Sequence, residues 1–171
     1  FLDQRGVHYE GVFGEGFVGL AQITLDMAVA VRGADVALVC LPTISHAAVA
    51  ASLAGVGAHA IPVVLNPGHT GGALEFSTAY RRASGGHCPP VAEFHTLSTI
   101  ARKYRPGSVT VSGKARFLRL GMLPAGAAAA EAAERLYPVS ERVADVLNSS
   151  LANLNMVLHA PGAVLGAALS L

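Results

Sequence analysis

The stretch Leu151–Gly162 (LANLNMVLHAPG) sets one imidazole and two carboxamides among apolar neighbours. Asn155 and His159 are four residues apart and share a helix face, whereas Asn153 and Asn155 are two apart and do not. A polar group buried without a partner costs on the order of a few kcal/mol, so these side chains need hydrogen-bond partners or a ligand. Pro161 has no backbone N–H; inside a helix it breaks the ladder and leaves carbonyls free near His159. An imidazole titrates near neutral pH and can move a proton. Two readings of His159 stand side by side: a satisfied core histidine, and a general acid/base set by Asn155 on one side and Pro161-Gly162 on the other.

Two further groups lie where apolar runs end. The runs closing on Cys40-Leu41-Pro42 and on Val64-Leu65-Asn66-Pro67-Gly68 read as strand ends, where an open α/β sheet binds its ligands. In NPGHTGG, Gly68 allows close backbone approach, and the loop N–H groups with Thr70 could hold a carboxylate, phosphate or ribose. The bland alternative is an ordinary Gly/Pro turn. In Ala92–Leu97 (AEFHTL), Glu93 can orient a polar partner or pair with an arginine. Thr96 can donate to a substrate or cap a following helix. His46, on the first turn after Pro42, is a secondary candidate for contact with a ligand. His8, His59 and His87 read as surface or loop residues, and no His/Cys/Asp set has metal-site spacing.

Elements that would position these groups alternate along the chain. Val7–Glu10 and the region around Phe17–Ile23 alternate as short strands with one wet face. Asp26–Arg32 predicts a short helix with Thr24 as its cap. Asp35–Leu41 and Ile61–Leu65 are continuous apolar runs, the pattern of buried parallel strands, and Val91–Phe94 is a third strand. Helices are predicted over Ile44–Leu53, Ala73–Ala83 and Ala125–Leu136. Ser108–Ser112 and Phe117–Met122 read as a strand pair, Val139–Val143 as an edge strand, and the chain is helical in character from Asp145. Strand and helix in alternation predict an α/β fold with a doubly wound, mostly parallel Rossmann-like sheet.

Composition narrows the function classes. With 52% hydrophobic and 13% charged residues in a chain of 171, a sizeable core is affordable for one domain. A net charge of +1 without a dense basic cluster gives no footprint for nucleic acid. No apolar stretch reaches the roughly 18 residues that span a bilayer. Cys40 reads as a buried thiol and Cys88 as a loop thiol, a pair that fits the reducing cytoplasm and frames no disulfide scaffold. Gly14–Gly19 (GEGFVG) matches the dinucleotide fingerprint G-x-G-x-x-G, but the strand before it carries His8 and Glu10, and Asp35 begins the next strand instead of ending it. It reads as turn glycines.

Taken in order, four segments resemble the octopine/nopaline dehydrogenase family. They are DVALVCLP followed by His46, NPGHTGGALEF, AEFHTLSTIARKYRPGSVTV, and LANLNMVLHAPGAVLGAA. The resemblance implies an NAD(P)H-linked reductive condensation of an α-keto acid with an amino acid, using NAD or NADP. It implies that His159 is the catalytic histidine, and that Pro42, Thr43, His46, Asn66, Pro67 and Gly68 line the nicotinamide side. His69 and Thr96 would face the keto acid, with Thr70 and Asn155 as weaker correspondences. Two departures, Ala160 where the family has proline and Thr99 where it has tyrosine, bear on substrate preference.

The resemblance also divides the chain. Residues 1–148 would be a nucleotide-binding domain incomplete at its N-terminus, and 149–171 the start of an all-helical second domain. The first strand with its glycine loop would lie upstream. The acidic partner of the histidine and an arginine for the substrate carboxylate would lie downstream. The 171 residues alone would then be inactive. Small-molecule substrates are the partners expected, with no nucleic acid or membrane partner and a homodimer left open. Other Rossmann reductases with a helical second domain share the strand-end features but do not explain AEFHTLST followed by HAPG. A non-catalytic nucleotide-binding module is the remaining alternative.

Overall fold

The computed structural model describes residues 5–167, leaving aside the side chains of residues 154, 155, 157, 160 and 167. The chain runs β1 (Gly6–Gly11), β2 (Gly16–Gly19), α1 (Met27–Ala30), β3 (Ala37–Val39), α2 (His46–Gly55), β4 (Val63–Leu65), α3 (Gly72–Ser84) and β5 (Val91–Phe94). It continues through β6 (Thr99–Arg105), β7 (Ser108–Lys114), β8 (Leu118–Met122), α4 (Ala127–Leu136), β9 (Ser140–Arg142), α5 (Val146–Ser150) and α6 (Leu154–Ala167). A short 3-10 turn, Thr43–Ser45, leads from β3 into α2.

The main sheet has the order β3-β4-β5-β8-β9. Its first three strands are parallel, β8 runs antiparallel to β5, and β9 runs parallel to β8. Side chains alternate across it. Val63, Leu65 and Val91 pack with Phe76 and Tyr80 of α3 and Ala50 and Leu53 of α2. Val64, Ala92 and Phe94 pack on the other face with Leu118, Leu120 and the alanines of α4. Small α4 residues Ala129, Ala130 and Ala133 let that helix lie close over the aromatic Phe94. The result is the three-layer α/β arrangement that the apolar runs predict.

Four details differ from the sequence reading. β6 and β7 form a hairpin closed at Gly107 (φ 72°), so β7 does not pair with β8. With β1 and β2 they build a separate sheet of order β2-β1-β7-β6. Among the described residues β3 pairs with β4 alone; Leu38 and Cys40 are exposed, correcting the expectation of a buried thiol. The cap of α1 is Asp26, whose carboxylate accepts from the Ala28 and Val29 N–H groups, while Thr24 accepts from Asp26 N–H. Finally, α6 continues through Pro161 instead of stopping there. The G-x-G-x-x-G match falls on the β1–β2 hairpin of the smaller sheet.

Candidate functional site

Parallel pairing brings the carboxyl ends of β3, β4 and β5 to one edge of the sheet, and with them the segments 40–46, 66–72 and 95–98. This edge carries Pro42, Thr43, His46, Asn66, Pro67, Gly68, His69, Thr70 and Thr96. Pro42 and Thr70 are exposed, Thr43, His69 and Thr96 are half-buried, and His46, Asn66, Pro67 and Gly68 are buried.

Several of these side chains hold the site together. Asn66 donates from Nδ2 to Ser98 Oγ (2.8 Å) and Tyr137 Oη (3.1 Å), and its Oδ1 accepts from Ser98 N–H (3.0 Å). Its backbone N–H donates to Val39 O (2.9 Å), so one residue ties β3, β4 and the loop after β5. The Asn66 carboxamide is therefore a strut, and Pro67 follows it through a cis peptide. No helix follows Thr96, so a capping role for it is excluded; β6 begins at Thr99.

His46 is fully buried, with Nε2 3.3 Å from the Leu41 carbonyl. A carbonyl only accepts, so Nε2 carries the proton and Nδ1 presents a lone pair. Among the described residues that Nδ1 has no partner, and neither do the buried His69 Nδ1 and Thr43 Oγ1. Each of these three orphaned atoms belongs to a residue of the predicted site, and buried polar groups of this kind are ordinarily paired. His69 also adopts a left-handed backbone (φ 55°), a conformation enriched at ligand sites. A polar ligand lying across the ends of β3 and β4 would fit this donor and acceptor set.

Burial lowers the pKa of His46 below its ordinary value of 6.5, and burial with the nearby Arg119 does the same for His95. The unfolded chain then takes up protons first on acidification. The stability these groups give is intact above about pH 6.5 and is lost as pH falls from there towards their folded values. Thermal midpoints measured from neutral to mildly acid pH should fall, and the His46→Gln variant should show a shallower fall. An equal slope in the variant would remove His46 from this account.

Glu93 sits beneath the edge, fully buried on β5. Its carboxylate accepts from Ala73 N–H (2.7 Å), Ser149 Oγ (2.8 Å) and Ser150 Oγ (2.7 Å). Burial raises its pKa, and the two serine hydroxyls and the Ala73 N–H oppose that rise. Of the two sequence readings, Glu93 orients polar partners and does not pair with arginine. Ser149 and Ser150 carry no sequence signal for this role, because a serine pair at a helix end reads as solvent-facing.

The loop and the C-terminal helix are joined through Thr70. Asn153 Nδ2 donates to Thr70 Oγ1 (3.2 Å), which in turn lies 3.5 Å from Ser150 O and 3.6 Å from Met156 Sδ. His159 follows Met156 by three residues on α6 and is exposed among the described residues. The Asn155 side chain lies outside the described residues. Among the described residues, no group of three or more His, Cys, Asp or Glu could hold a metal ion, and no helix is long and apolar enough to cross a membrane.

This fold and the placement of polar loops at the strand ends define a Rossmann-like α/β architecture. Solved structures share it. Octopine dehydrogenase with NADH and L-arginine superposes at a TM-score of 0.74 with 20% identity, covering 91% of this chain and 41% of that one. Yersinopine dehydrogenase with NADP+ bound superposes at 0.67 with 14% identity, over 90% of this chain and 41% of that one. In sequence, the chain is similar to the opine dehydrogenase of Arthrobacter sp. (strain 1C), 37% identical over 160 residues. That match covers 91% of this chain but 44% of the relative, so the chain spans less than half the length of the curated protein it resembles. No family model matches it.

Proposed function

We propose that this chain is the nucleotide-binding part of an NAD(P)H-dependent opine dehydrogenase, which joins an α-keto acid to the amino group of an amino acid. The observation that carries this reading is the 37% identity to an opine dehydrogenase, sustained over 91% of the chain. The orphaned polar atoms of Thr43, His46 and His69 support it from the structure, because they lie where the resemblance puts the cofactor and keto acid. On this reading residues 1–148 form the cofactor domain and 149–171 open a helical domain. The unpaired cysteines fit a cytoplasmic enzyme.

In the reaction, the amine attacks the keto carbon and water leaves to give an imine between the two substrates. Bound NAD(P)H supplies the hydride that reduces the imine carbon. Its nitrogen takes one proton, so keto acid, amine, NAD(P)H and H+ give the N-(carboxyalkyl)amino acid, NAD(P)+ and water. Pro42, Thr43, His46, Asn66, Pro67 and Gly68 shape the nicotinamide side. Asn66 does so by fixing the loop, His46 by offering its Nδ1 lone pair to a donor. His69, Thr70, Thr96 and Asn155 face the keto acid. His159 holds and returns the proton of the amine, and its exposure on α6 leaves the imidazole accessible.

NADH and NADPH oxidation by the full protein, assayed with a panel of keto acids with and without amino acids, tests this. Oxidation is expected only when both substrates are present, with the condensed product found by mass spectrometry. Oxidation with a keto acid alone would assign the protein to a hydroxyacid-type reductase instead. The 171 residues expressed by themselves are expected to give no turnover, because they span 44% of the length of the relative; keto-acid-dependent NADH oxidation by the isolated chain would overturn that.

A further inference from the structure

The buried carboxylate under the NPGHTGG loop has no place in the chemistry above, yet α3, α5 and the loop at Gly68 all meet at it. Glu93 Oε2 accepts from the first helical turn of α3 at Ala73 N–H, and Oε1 accepts from both serines of α5. Gly68 crosses directly over it: a methyl group added there would lie 2.6 Å from Glu93 Cδ. Ser150 Oγ, while donating to Glu93, accepts from Gly71 N–H at 3.1 Å. From Ser150 the connection runs through Thr70 to Asn153 and Met156, at the start of the helix that carries His159. On the far side, Gly121 of β8 leaves the room that Ser149 occupies, since a methyl group there would lie 2.9 Å from Ser149 Cβ.

We propose that Glu93 is a positioning residue, whose carboxylate clasps α5 through Ser149 and Ser150 and so sets the α6 helix in register with the NPGHTGG loop. Side-chain alternation explains why a carboxylate is needed. Position 93 points to the same face as Val91, into the α3 layer, and the groups that meet it there are two hydroxyls and one amide N–H. An ionised carboxylate accepts from all three at once. A glutamine has one oxygen and one NH2, so at least one of those groups would face a second donor or turn away.

The clasp acts through other residues, so its test reads position as well as rate. This inference rests on the proposed reaction for its kinetic readout only. In the full protein, Glu93→Gln and Ser150→Ala are compared singly and together, with hydrogen exchange and steady-state kinetics on the same samples. Amides of 68–73 and 154–160 are expected to exchange faster in each variant, with those of β4 and α4 unchanged. In kinetics, kcat is expected to fall about 10–100-fold, as for a displacement on the order of 1 Å at a reacting pair. The double variant is expected to lose little more than either single one, as for residues acting as one unit.

Unchanged exchange in 68–73 and 154–160 in both single variants would overturn the clasp, whatever the enzyme's reaction turns out to be. Additive losses would overturn the coupling. Should Glu93→Gln fail to fold, Ser150→Ala alone decides, since it leaves Glu93 two of its three donors. A wild-type protein without opine-forming activity would sink the reaction proposed above and leave the exchange result standing.

Discussion

Replacing His159 with alanine in the full protein should lower kcat for the condensation by about 10²- to 10⁴-fold, the usual range for removing a general acid/base. Folding stability should barely move. Among the described residues the side chain is exposed, alanine is the strongest helix former, and substitutions at such sites stay within about 0.5 kcal/mol. NADH binding should persist, because the residues proposed to line the nicotinamide lie on the ends of β3 and β4 and not on α6. That combination separates chemistry from structure: a large rate loss with an unshifted thermal midpoint and retained cofactor binding. The rise in fluorescence of the reduced nicotinamide follows NADH binding in wild type and variant alike. A variant that condenses both substrates at the wild-type rate would remove His159 from the reaction.

Much of the scaffold was legible because burial writes itself into the order of residues. Val91–Phe94 is a strand with the bounds its sequence suggests, and the runs ending at Pro42 and Asn66 are the parallel strands whose ends form the site. The turn reading of Gly14–Gly19 was legible too: those glycines fall on the β1–β2 hairpin, and β1 belongs to the small sheet, where it also pairs parallel with β7. What the sequence hid is non-local. Thr99–Arg105 has no apolar face, as six of its seven residues are exposed, so it carries no strand pattern. Its hairpin with β7 is signalled only by Pro106-Gly107, and the pairing of β7 with β1 joins residues about 100 positions apart. The places of His46 and Gly68 just beyond the ends of β3 and β4 were legible from the apolar runs before them. The Glu93 partners were not, since Ser149 and Ser150 lie 56 and 57 residues further on.

Gly68→Ala should be the most damaging small change at the strand ends. The reason is space and not backbone freedom, as Gly68 does not have the positive φ of its neighbour Gly71. A methyl group at 68 would overlap the Glu93 side chain, lying 2.5 Å from its Cβ and 2.6 Å from its Cδ. Neither partner can easily give way. Glu93 is fully buried and held by Ala73, Ser149 and Ser150, and the Gly68 N–H is bonded to Phe94 O at 2.9 Å. Overpacking of this kind costs about 1–3 kcal/mol, which lowers the thermal midpoint by about 2–12 °C for a domain of this size. By contrast, Gly71→Ala meets no atom within 4 Å, and its cost is the left-handed backbone alone, about 1–2 kcal/mol. The two variants should therefore part company in function. Gly68→Ala pushes the loop off the carboxylate and should weaken NADH binding along with stability, whereas Gly71→Ala adds its strain where the loop meets α3 and should leave cofactor affinity closer to wild type. Equal NADH affinities in the two variants, measured by fluorescence titration at a temperature where both are folded, would mean that the contact between Gly68 and Glu93 does not shape the cofactor side of the site.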